Sequence, residues 1–186
     1  IKSGKDREGR EKGIASEDIL IRNCRFVSGF GVAVGSEMSG GVRDVRVENC
    51  LFENTYSIAS IKAPRGRGGT VDNIMFRACK HYYNENEFND CKWFRAAIYI
   101  DRFYGIDEFD TDLYKTFDEG TGIFSNIVFE DIESRTTAGR AVYIAGLPES
   151  KIKGVIMRRI EAIGSSGMVI KNADDIVLED VDIWDM

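Results

Sequence analysis

Short strands of alternating apolar and polar residues follow one another along the whole chain. One set of segments shares an opening Asp, Asn or Gly, an alternating strand and a short polar turn; its members are residues 16–26, 42–52, 71–81, 124–134, 152–162 and 173–183. A second strand follows in most units, at 31–37, 57–63, 96–102, 140–146 and 166–172. The period of two predicts β-strands throughout, and no stretch keeps a helical period for long. In the second unit, Val42, Val45, Val47 and Phe52 are predicted to point inward.

The regular recurrence predicts a stacked solenoid. Units of roughly 21 to 30 residues cannot bury an apolar face alone, so neighbouring units must stack. A propeller blade needs about 40 residues, and the leucine ladder of a leucine-rich repeat is missing. We therefore expect an all-β right-handed parallel β-helix, forming a single domain over residues 1–186 and incomplete at its N-terminal end.

Three cysteines recur at one position of the repeat. Cys24, Cys50 and Cys79 are predicted to form an interior ladder of small apolar residues, and a disulfide between neighbours is the less favoured alternative. The cysteines, which include Cys91, contain no C-x-x-C pair, and His81 is the only histidine. We expect no metal site and no cofactor.

Two segments interrupt the repeat, near residues 80–95 and 103–123, and both are rich in aromatic and acidic residues. Long loops inside compact domains are commonly functional, and aromatic faces suit stacking on sugar rings. The alternative is that the second segment packs over the edge of the helix through its aromatic residues, Phe103, Tyr104, Phe109 and Phe117. The sequence leaves both open.

Charge narrows the range of partners. The chain of 186 residues has a net charge of −6, which argues against a general nucleic-acid binder. No apolar run is long enough to cross a bilayer, so no membrane partner is expected. Lys62, Arg65 and Arg67 nevertheless form a local basic loop. Such a loop either concentrates an anionic ligand or consists of solvated charges.

Four runs resemble the pectin-degrading family 28 of glycoside hydrolases, which comprises polygalacturonases and their relatives. They are IKSGKDREGR, NCRFVSGFGVAVGSEMSGGVRDVRVENCLF, SIKAPRGRGGTVDNI and GLPESKIKGV. The resemblance implies a right-handed parallel β-helix and inverting hydrolysis of galacturonate-containing polysaccharide (pectin). It also implies a secreted or periplasmic location. An inverting enzyme needs one carboxylic acid and one carboxylate, set apart to admit a water.

The family carries four motifs in chain order. Its Asn-Thr-Asp and Asp-Asp motifs are expected upstream of Ile1, so the chain is expected to be an internal piece of a longer protein, with no catalytic residue of its own. The Gly-His-Gly motif is occupied by Gly29-Phe30-Gly31, and the Arg-Ile-Lys motif by Ser60-Ile61-Lys62. A phenylalanine thus replaces the histidine and a serine replaces the arginine. The lysine is retained and is expected to pair with a uronate carboxylate.

The predicted substrate-binding residues are Phe30, Glu37, Lys62, Arg65 and Tyr143. Most have a plainer alternative. Lys62 could be a solvated strand-end lysine, Arg65 could hold its loop through backbone carbonyls, and Glu37 could cap the adjacent loop. Tyr143 could pack at the edge of the core. Asp101 and Arg102, at the end of one strand, are predicted to pair with each other.

The leading hypothesis is that the chain belongs to a polygalacturonase-like hydrolase and is inactive by itself. Its partner would be an anionic polysaccharide or oligogalacturonide. The alternative is a non-catalytic uronide-binding module or pseudoenzyme. A purely structural β-helix is disfavoured, because it has no need of basic glycine-rich loops stacked on one side.

Overall fold

The computed structural model describes residues 1–87, 94–104 and 111–186. One short helix, α1 (Asp6–Lys12), precedes the strands. The strands are β1 (Ile19–Arg22), β2 (Arg25–Phe26), β3 (Val32–Gly35), β4 (Val42–Glu48), β5 (Leu51–Glu53), β6 (Ala59–Lys62), β7 (Thr70–Tyr83), β8 (Ala96–Asp101), β9 (Ile123–Thr136), β10 (Arg140–Ala145), β11 (Ile152–Gly164), β12 (Ser166–Lys171), β13 (Ala173–Asp174) and β14 (Val177–Asp185). None of the described helical structure is long and apolar enough to cross a membrane.

Successive coils contribute strands alternately to two parallel sheets. The nine-stranded sheet runs β1-β4-β7-β9-β11-β13, with β2, β5 and β14 paired alongside. The five-stranded sheet runs β3-β6-β8-β10-β12. Every strand pair is parallel, and each strand lies beside its equivalent from the next coil. The predicted fold, a right-handed parallel β-helix, is confirmed.

The core is a stack of like residues between the two sheets. Val42, Val45, Val47 and Phe52 are fully buried, as predicted. Neighbouring coils repeat the arrangement: the ring of Phe52 stacks on Phe26 with centroids 4.8 Å apart. The stacked apolar layers remove the interior from water, which is the main stabilising term in such a solenoid.

Left-handed backbone positions turn each coil. Asp18, Asp44, Asn73, Asn126 and Asp175 have φ between 53° and 56°. Asp and Asn tolerate this region better than other non-glycine residues, which explains why the repeating segments open with them. The amides also hydrogen-bond between coils, since Asn73 donates to the Asp44 carboxylate at 2.6 Å.

The cysteine ladder is partly as expected. Cys50 and Cys79 are buried, which confirms the prediction for these two, and all three described cysteines are free thiols. The interior position predicted for Cys24 is wrong: it is exposed, because it lies beside the end strand β1, which pairs only with β4. Cys91 lies outside the described residues.

Helix α1 was not anticipated from the sequence. Its seven residues are too few to show a helical period. The first interrupting segment also differs from expectation, because β7 continues to Tyr83 and pairs with β9 over that length. Residues 1–3 lie along the free edge of β3: Gly35 N–H donates to Ile1 O at 2.9 Å and Ser3 N–H to Glu37 O at 2.9 Å.

Candidate functional site

The outer face of the five-stranded sheet carries two rows of side chains. One row, set by strand register, is Ala33, Ser60, Tyr99, Tyr143 and Val169. The next is Gly35, Lys62, Asp101, Ala145 and Lys171. Parallel register places residues distant in sequence side by side, about 4.8 Å apart from strand to strand. Both altered family motifs, at Phe30 and Ser60, lie on or beside this face.

Lys62 occupies the centre of the site. It is the last residue of β6, and only 9% of its surface is exposed. Its Nζ lies 4.7 Å from the ring centroid of Phe30 and 4.6 Å from that of Tyr104. Burial lowers the pKa of its amine, and the nearby Asp101 carboxylate offsets this in part. Within the described part of the chain, Nζ makes no ion pair and no hydrogen bond.

Phe30 is held at the edge of the site by its backbone. The hydroxyl of Ser57 donates to Phe30 O at 2.7 Å, and Tyr56 N–H donates to Gly29 O at 2.8 Å. Its ring packs against Tyr56 with centroids 5.0 Å apart and remains 43% exposed. A side chain without donors or acceptors therefore forms an apolar surface beside the Lys62 amine.

Asp101 and Arg102 do not pair with each other, so that prediction is wrong. The Asp101 carboxylate accepts hydrogen bonds from the Tyr99 hydroxyl and, at 2.8 Å, from Phe103 N–H. The Arg102 guanidinium points the other way, donating to Gly122 O at 2.9 Å and lying over the Phe124 ring. Successive strand residues point to opposite faces, which separates them.

Burial shapes the protonation of the groups in these two rows. It raises the pKa of Asp101, because a carboxylate is disfavoured where only 6% of the residue is exposed. It also raises the pKa of Tyr99, and the adjacent Asp101 charge adds to that rise. The two oxygens of Asp101 are engaged with Tyr99 and Phe103, so this carboxylate supports the site floor.

Arg65 is engaged in a tight ion pair. Its Nε and Nη2 donate to the two oxygens of Glu149 at 2.6 and 3.0 Å, and Nη2 also donates to Leu113 O. Burial alone would raise the pKa of Glu149, but the Arg65 hydrogen bonds outweigh it and hold that pKa below its usual value. Arg65 thus ties its loop to the second interrupting segment; the substrate contact proposed for it remains a prediction.

Glu37 and Arg67 are also paired. Glu37 accepts a hydrogen bond from Lys2 Nζ at 2.6 Å, and this contact lowers its pKa. Arg67 forms an ion pair with Asp6 of α1 and donates to Ser36 O at 3.1 Å. Two of the predicted site residues, Glu37 and Arg65, therefore carry a partner of opposite charge, as does Arg67 of the same basic loop. Within the described residues, Lys62 has no such partner.

Tyr143 lies on the same outer face, two strands from β6. Its ring stacks on Tyr99 with centroids 5.7 Å apart, and the side chain also packs against the cluster of Phe103, Ala145 and Leu147. Both contacts fit the packing alternative, and the half-buried ring also remains open to a ligand. Its role in binding sugar stays a prediction.

The second interrupting segment supplies Tyr104, which sequence reasoning named only as a packing aromatic. Phe103 is 2% exposed and does pack on the helix edge, whereas Tyr104 is 37% exposed and covers Lys62. Phe117 is 51% exposed and Phe109 lies outside the described residues. Tyr104 could have been found from its position, since it comes just after β8, whose last residue pairs with Lys62 at the end of β6.

In the described residues no group of three or more His, Cys, Asp or Glu side chains is arranged to hold a metal ion.

Comparison with known proteins points to one group of enzymes. The family model of glycosyl hydrolases family 28 matches residues 11–179. A probable polygalacturonase of Vitis vinifera is 40% identical over 79 residues, which are 41% of this chain and 16% of that protein. A polygalacturonase of Ralstonia nicotianae is 31% identical over 81 residues, which are 41% of this chain and 15% of that protein.

A solved structure agrees with these sequence relatives. The hyperthermoactive exopolygalacturonase from Thermotoga maritima superposes with a TM-score of 0.74 at 25% identity, covering 99% of this chain and 39% of that one. The chain therefore corresponds to well under half the length of the proteins it matches. Since the family model covers most of its residues, the chain belongs to family 28 of the glycosyl hydrolases.

Proposed function

We propose that this chain forms part of the substrate cleft of a polygalacturonase-like hydrolase that acts on galacturonate-containing polysaccharide. The carrying observation is the Lys62 amine, which is held over two aromatic rings and makes no ion pair or hydrogen bond in the described part of the chain. A cation with unused donors on the outer face of a sheet suits a carboxylate. Family membership and the similarity to polygalacturonases support a uronate as the source of that carboxylate.

In this proposal, the aromatic rings orient the sugar and Lys62 binds its carboxylate. Uronate rings have an apolar face that stacks on Phe30 or Tyr104, and partial burial strengthens the contact between the carboxylate and the amine. Inverting hydrolysis also needs an acid and a base about 6.5 to 9.5 Å apart, flanking the glycosidic bond. We assign both to the Asn-Thr-Asp and Asp-Asp motifs that the family resemblance places upstream of Ile1. Asp101, the carboxylate beside Lys62, is instead engaged with Tyr99 and Phe103. A secreted or periplasmic location would suit such a substrate.

Equilibrium titration with oligogalacturonate tests the binding claim. We expect saturable binding that weakens with added salt, because charge pairing is screened. Lys62→Ala should weaken the affinity at least tenfold. Lys153 is an exposed lysine on β11 of the nine-stranded sheet, so Lys153→Ala should leave the affinity unchanged. Absence of binding at low salt would refute the proposal.

A reducing-end assay separates the hydrolase from its alternative, a non-catalytic uronide-binding module. We expect this chain to bind without releasing reducing ends. A longer chain that includes the preceding coil should release them. If that longer chain binds but never cleaves, the binding-module alternative is correct.

A further inference from the structure

The Lys62 amine is enclosed by aromatic rings and has a lone set of unused donors. Only 9% of the residue is exposed. Within the described residues, its Nζ takes part in no hydrogen bond and no ion pair. The rings of Phe30 and Tyr104 have their centroids 4.7 and 4.6 Å from Nζ. These two residues are 43% and 37% exposed, so small molecules have access to the edge of the enclosure.

Charged groups on the same face of the five-stranded sheet act on this amine unequally. Burial has the largest influence and lowers the pKa of Lys62. The Asp101 carboxylate opposes burial, whereas the Lys2 cation adds to it. Arg95 acts on Asp101 and favours its charged form, and Lys171 lies three strands away on β12. Taken together, these groups leave Lys62 a larger neutral fraction than an ordinary lysine has.

A lysine that is removed from water and lies near another cation is a nucleophile toward carbonyl compounds. We propose that Lys62 is a covalent site for aldehydes, which it binds as a protonated imine at Nζ. The amine lone pair attacks the carbonyl carbon, a C–N bond forms, and the carbonyl π electrons move to oxygen. After proton transfer from nitrogen, that oxygen leaves as water. The ammonium and the aldehyde thus become the iminium and one water, with no oxidant or reductant.

The surroundings of Lys62 also suit the product. An iminium keeps the positive charge of the amine, so the two ring faces and the Asp101 carboxylate attract it as they attract the ammonium. Limited exposure restricts the water that would reverse the reaction. The aldehyde can be the open-chain form of a reducing sugar or a free small aldehyde, which share the reacting carbonyl group. The reaction needs only the amine and this group, so it does not depend on the function proposed above.

Reductive trapping tests the proposal on the folded chain. The chain is treated with glyceraldehyde or with galacturonic acid, in the presence of cyanoborohydride, which reduces an imine to a stable secondary amine. Peptide mass mapping should show Lys62 labelled several-fold faster than Lys153, an exposed lysine on β11 that serves as a control within the same molecule. The aldehyde that labels Lys62 faster identifies the source. A buried lysine without special reactivity would be labelled more slowly than Lys153, and that result would overturn the proposal.

The pH dependence of labelling separates a reactive amine from one that the reagent simply reaches more easily. The neutral amine is the nucleophile, so its labelling rate rises as the pH rises through its pKa. Because burial lowers the pKa of Lys62, its rate should level off at a lower pH than the rate of Lys153. Tyr99 and Tyr143 on the same face stay uncharged in this range, since burial raises their pKa values. Identical pH profiles for the two lysines would overturn the proposal.

Replacement of Asp101 gives a second check. Its charge favours the ammonium form of Lys62, so Asp101→Asn should speed the labelling of Lys62 several-fold at pH 7. Asp182→Asn, at an exposed position of β14, should leave the rate unchanged, and an unchanged rate in folded Asp101→Asn would contradict the proposal. Preferential labelling of Lys62 in a chain that binds no oligogalacturonate would refute only the proposed function. Saturable binding without preferential labelling would refute only the aldehyde site.

Discussion

Lys62 and Asp101 are direct register partners in the adjacent parallel strands β6 and β8, yet they do not form an ion pair. The carboxylate is turned toward the Tyr99 hydroxyl and the backbone N–H of Phe103. The amine lies over the rings of Phe30 and Tyr104. The two groups therefore influence each other through space, and Asp101 supports the charge of Lys62 without occupying its donors.

Neutralising Asp101 should change the pH range of uronate binding. The Asp101 charge raises the pKa of Lys62, which burial lowers, so Asp101→Asn should lower that pKa further. Binding needs the charged amine and is lost as pH rises through its pKa. The alkaline limb of the binding curve should therefore move to lower pH in the variant. Titrations from pH 6 to 10 measure this shift, and Asp182→Asn on β14 is the control. An unchanged limb would contradict the coupling.

Opening the Arg65–Glu149 pair should destabilise the site strongly. Glu149→Ala leaves the Arg65 guanidinium, with a side-chain exposure of 16%, without its carboxylate. Removing one partner of a buried pair costs about 3 to 5 kcal/mol. Glu119→Ala removes a partner of Arg10 that is 82% exposed and should cost less than about 1 kcal/mol. Urea unfolding of both variants compares the two, and equal losses would refute the distinction.

The glycines on either side of Phe30 should respond differently to alanine. A Cβ at Gly31 would lie 2.0 Å from Ser57 O, whereas a Cβ at Gly29 meets nothing within 4 Å. Both have positive φ, so each alanine carries about 1 to 2 kcal/mol of backbone strain. Gly31→Ala must also displace the backbone of the next coil, so this variant should lose several kcal/mol more of the free energy of unfolding than Gly29→Ala. Thermal unfolding and oligogalacturonate binding report the difference; similar behaviour of the two variants would be unexpected.

His81 should make the fold sensitive to acid. It is buried, and its two ring nitrogens hydrogen-bond with the Ser134 hydroxyl and Thr55 O, both at 3.0 Å. Burial lowers its pKa to about 4 from 6.5. As the pH falls, the unfolded chain therefore protonates this histidine before the folded chain does. The contribution of His81 to the free energy of unfolding is complete above pH 6.5 and falls by at most about 3 kcal/mol as the pH drops toward 4.

Replacement of His81 isolates that effect. His81→Asn removes the titrating group, so the free energy of unfolding should change less between pH 7 and 4.5 than in the parent chain. Denaturant unfolding at the two pH values measures the difference. Equal pH dependence in both proteins would show that other groups carry the acid sensitivity.

An asparagine at position 78 should stabilise the coil. Ala78 is exposed and has a φ of 53°. The equivalent residue of the preceding coil is Asn49, which also has a positive φ. Asn49 donates its amide to Asn23 at 2.8 Å. Ala78→Asn should relieve about 1 kcal/mol of strain and extend this ladder. Ala78→Val, which adds a β-branched side chain at positive φ, should destabilise. The urea midpoints of the two variants should move in opposite directions.

The repeat made much of the fold predictable. Val42, Val45, Val47 and Phe52 alternate at period two, and that pattern alone fixes which side of each strand is buried. Cys24 shows the limit, because equivalence within a repeat does not reveal whether another coil covers the position. Helix α1 was missed because its seven residues span less than two helical turns, too few to establish a period.

The site was harder to predict, because its members are far apart in sequence. Phe30 and Lys62 were found through motif positions, while Tyr104 was assigned only to packing. The mistaken pairing of Asp101 with Arg102 arose from their adjacency in sequence. Adjacent residues of a strand point to opposite faces, whereas Lys62 and Asp101, 39 positions apart, meet in register.

By itself, the sequence determined the strand period, the stacking of coils, the family resemblance and the motif positions of Phe30 and Lys62. These depend on residue types and on their spacing along the chain, which the sequence displays without the fold. The tertiary structure alone decided which charges remain available: it pairs Arg65 with Glu149, Arg67 with Asp6 and Lys2 with Glu37, and it leaves Lys62 over two rings. Ion pairs between coils depend on register and burial, and neither is encoded at a single position.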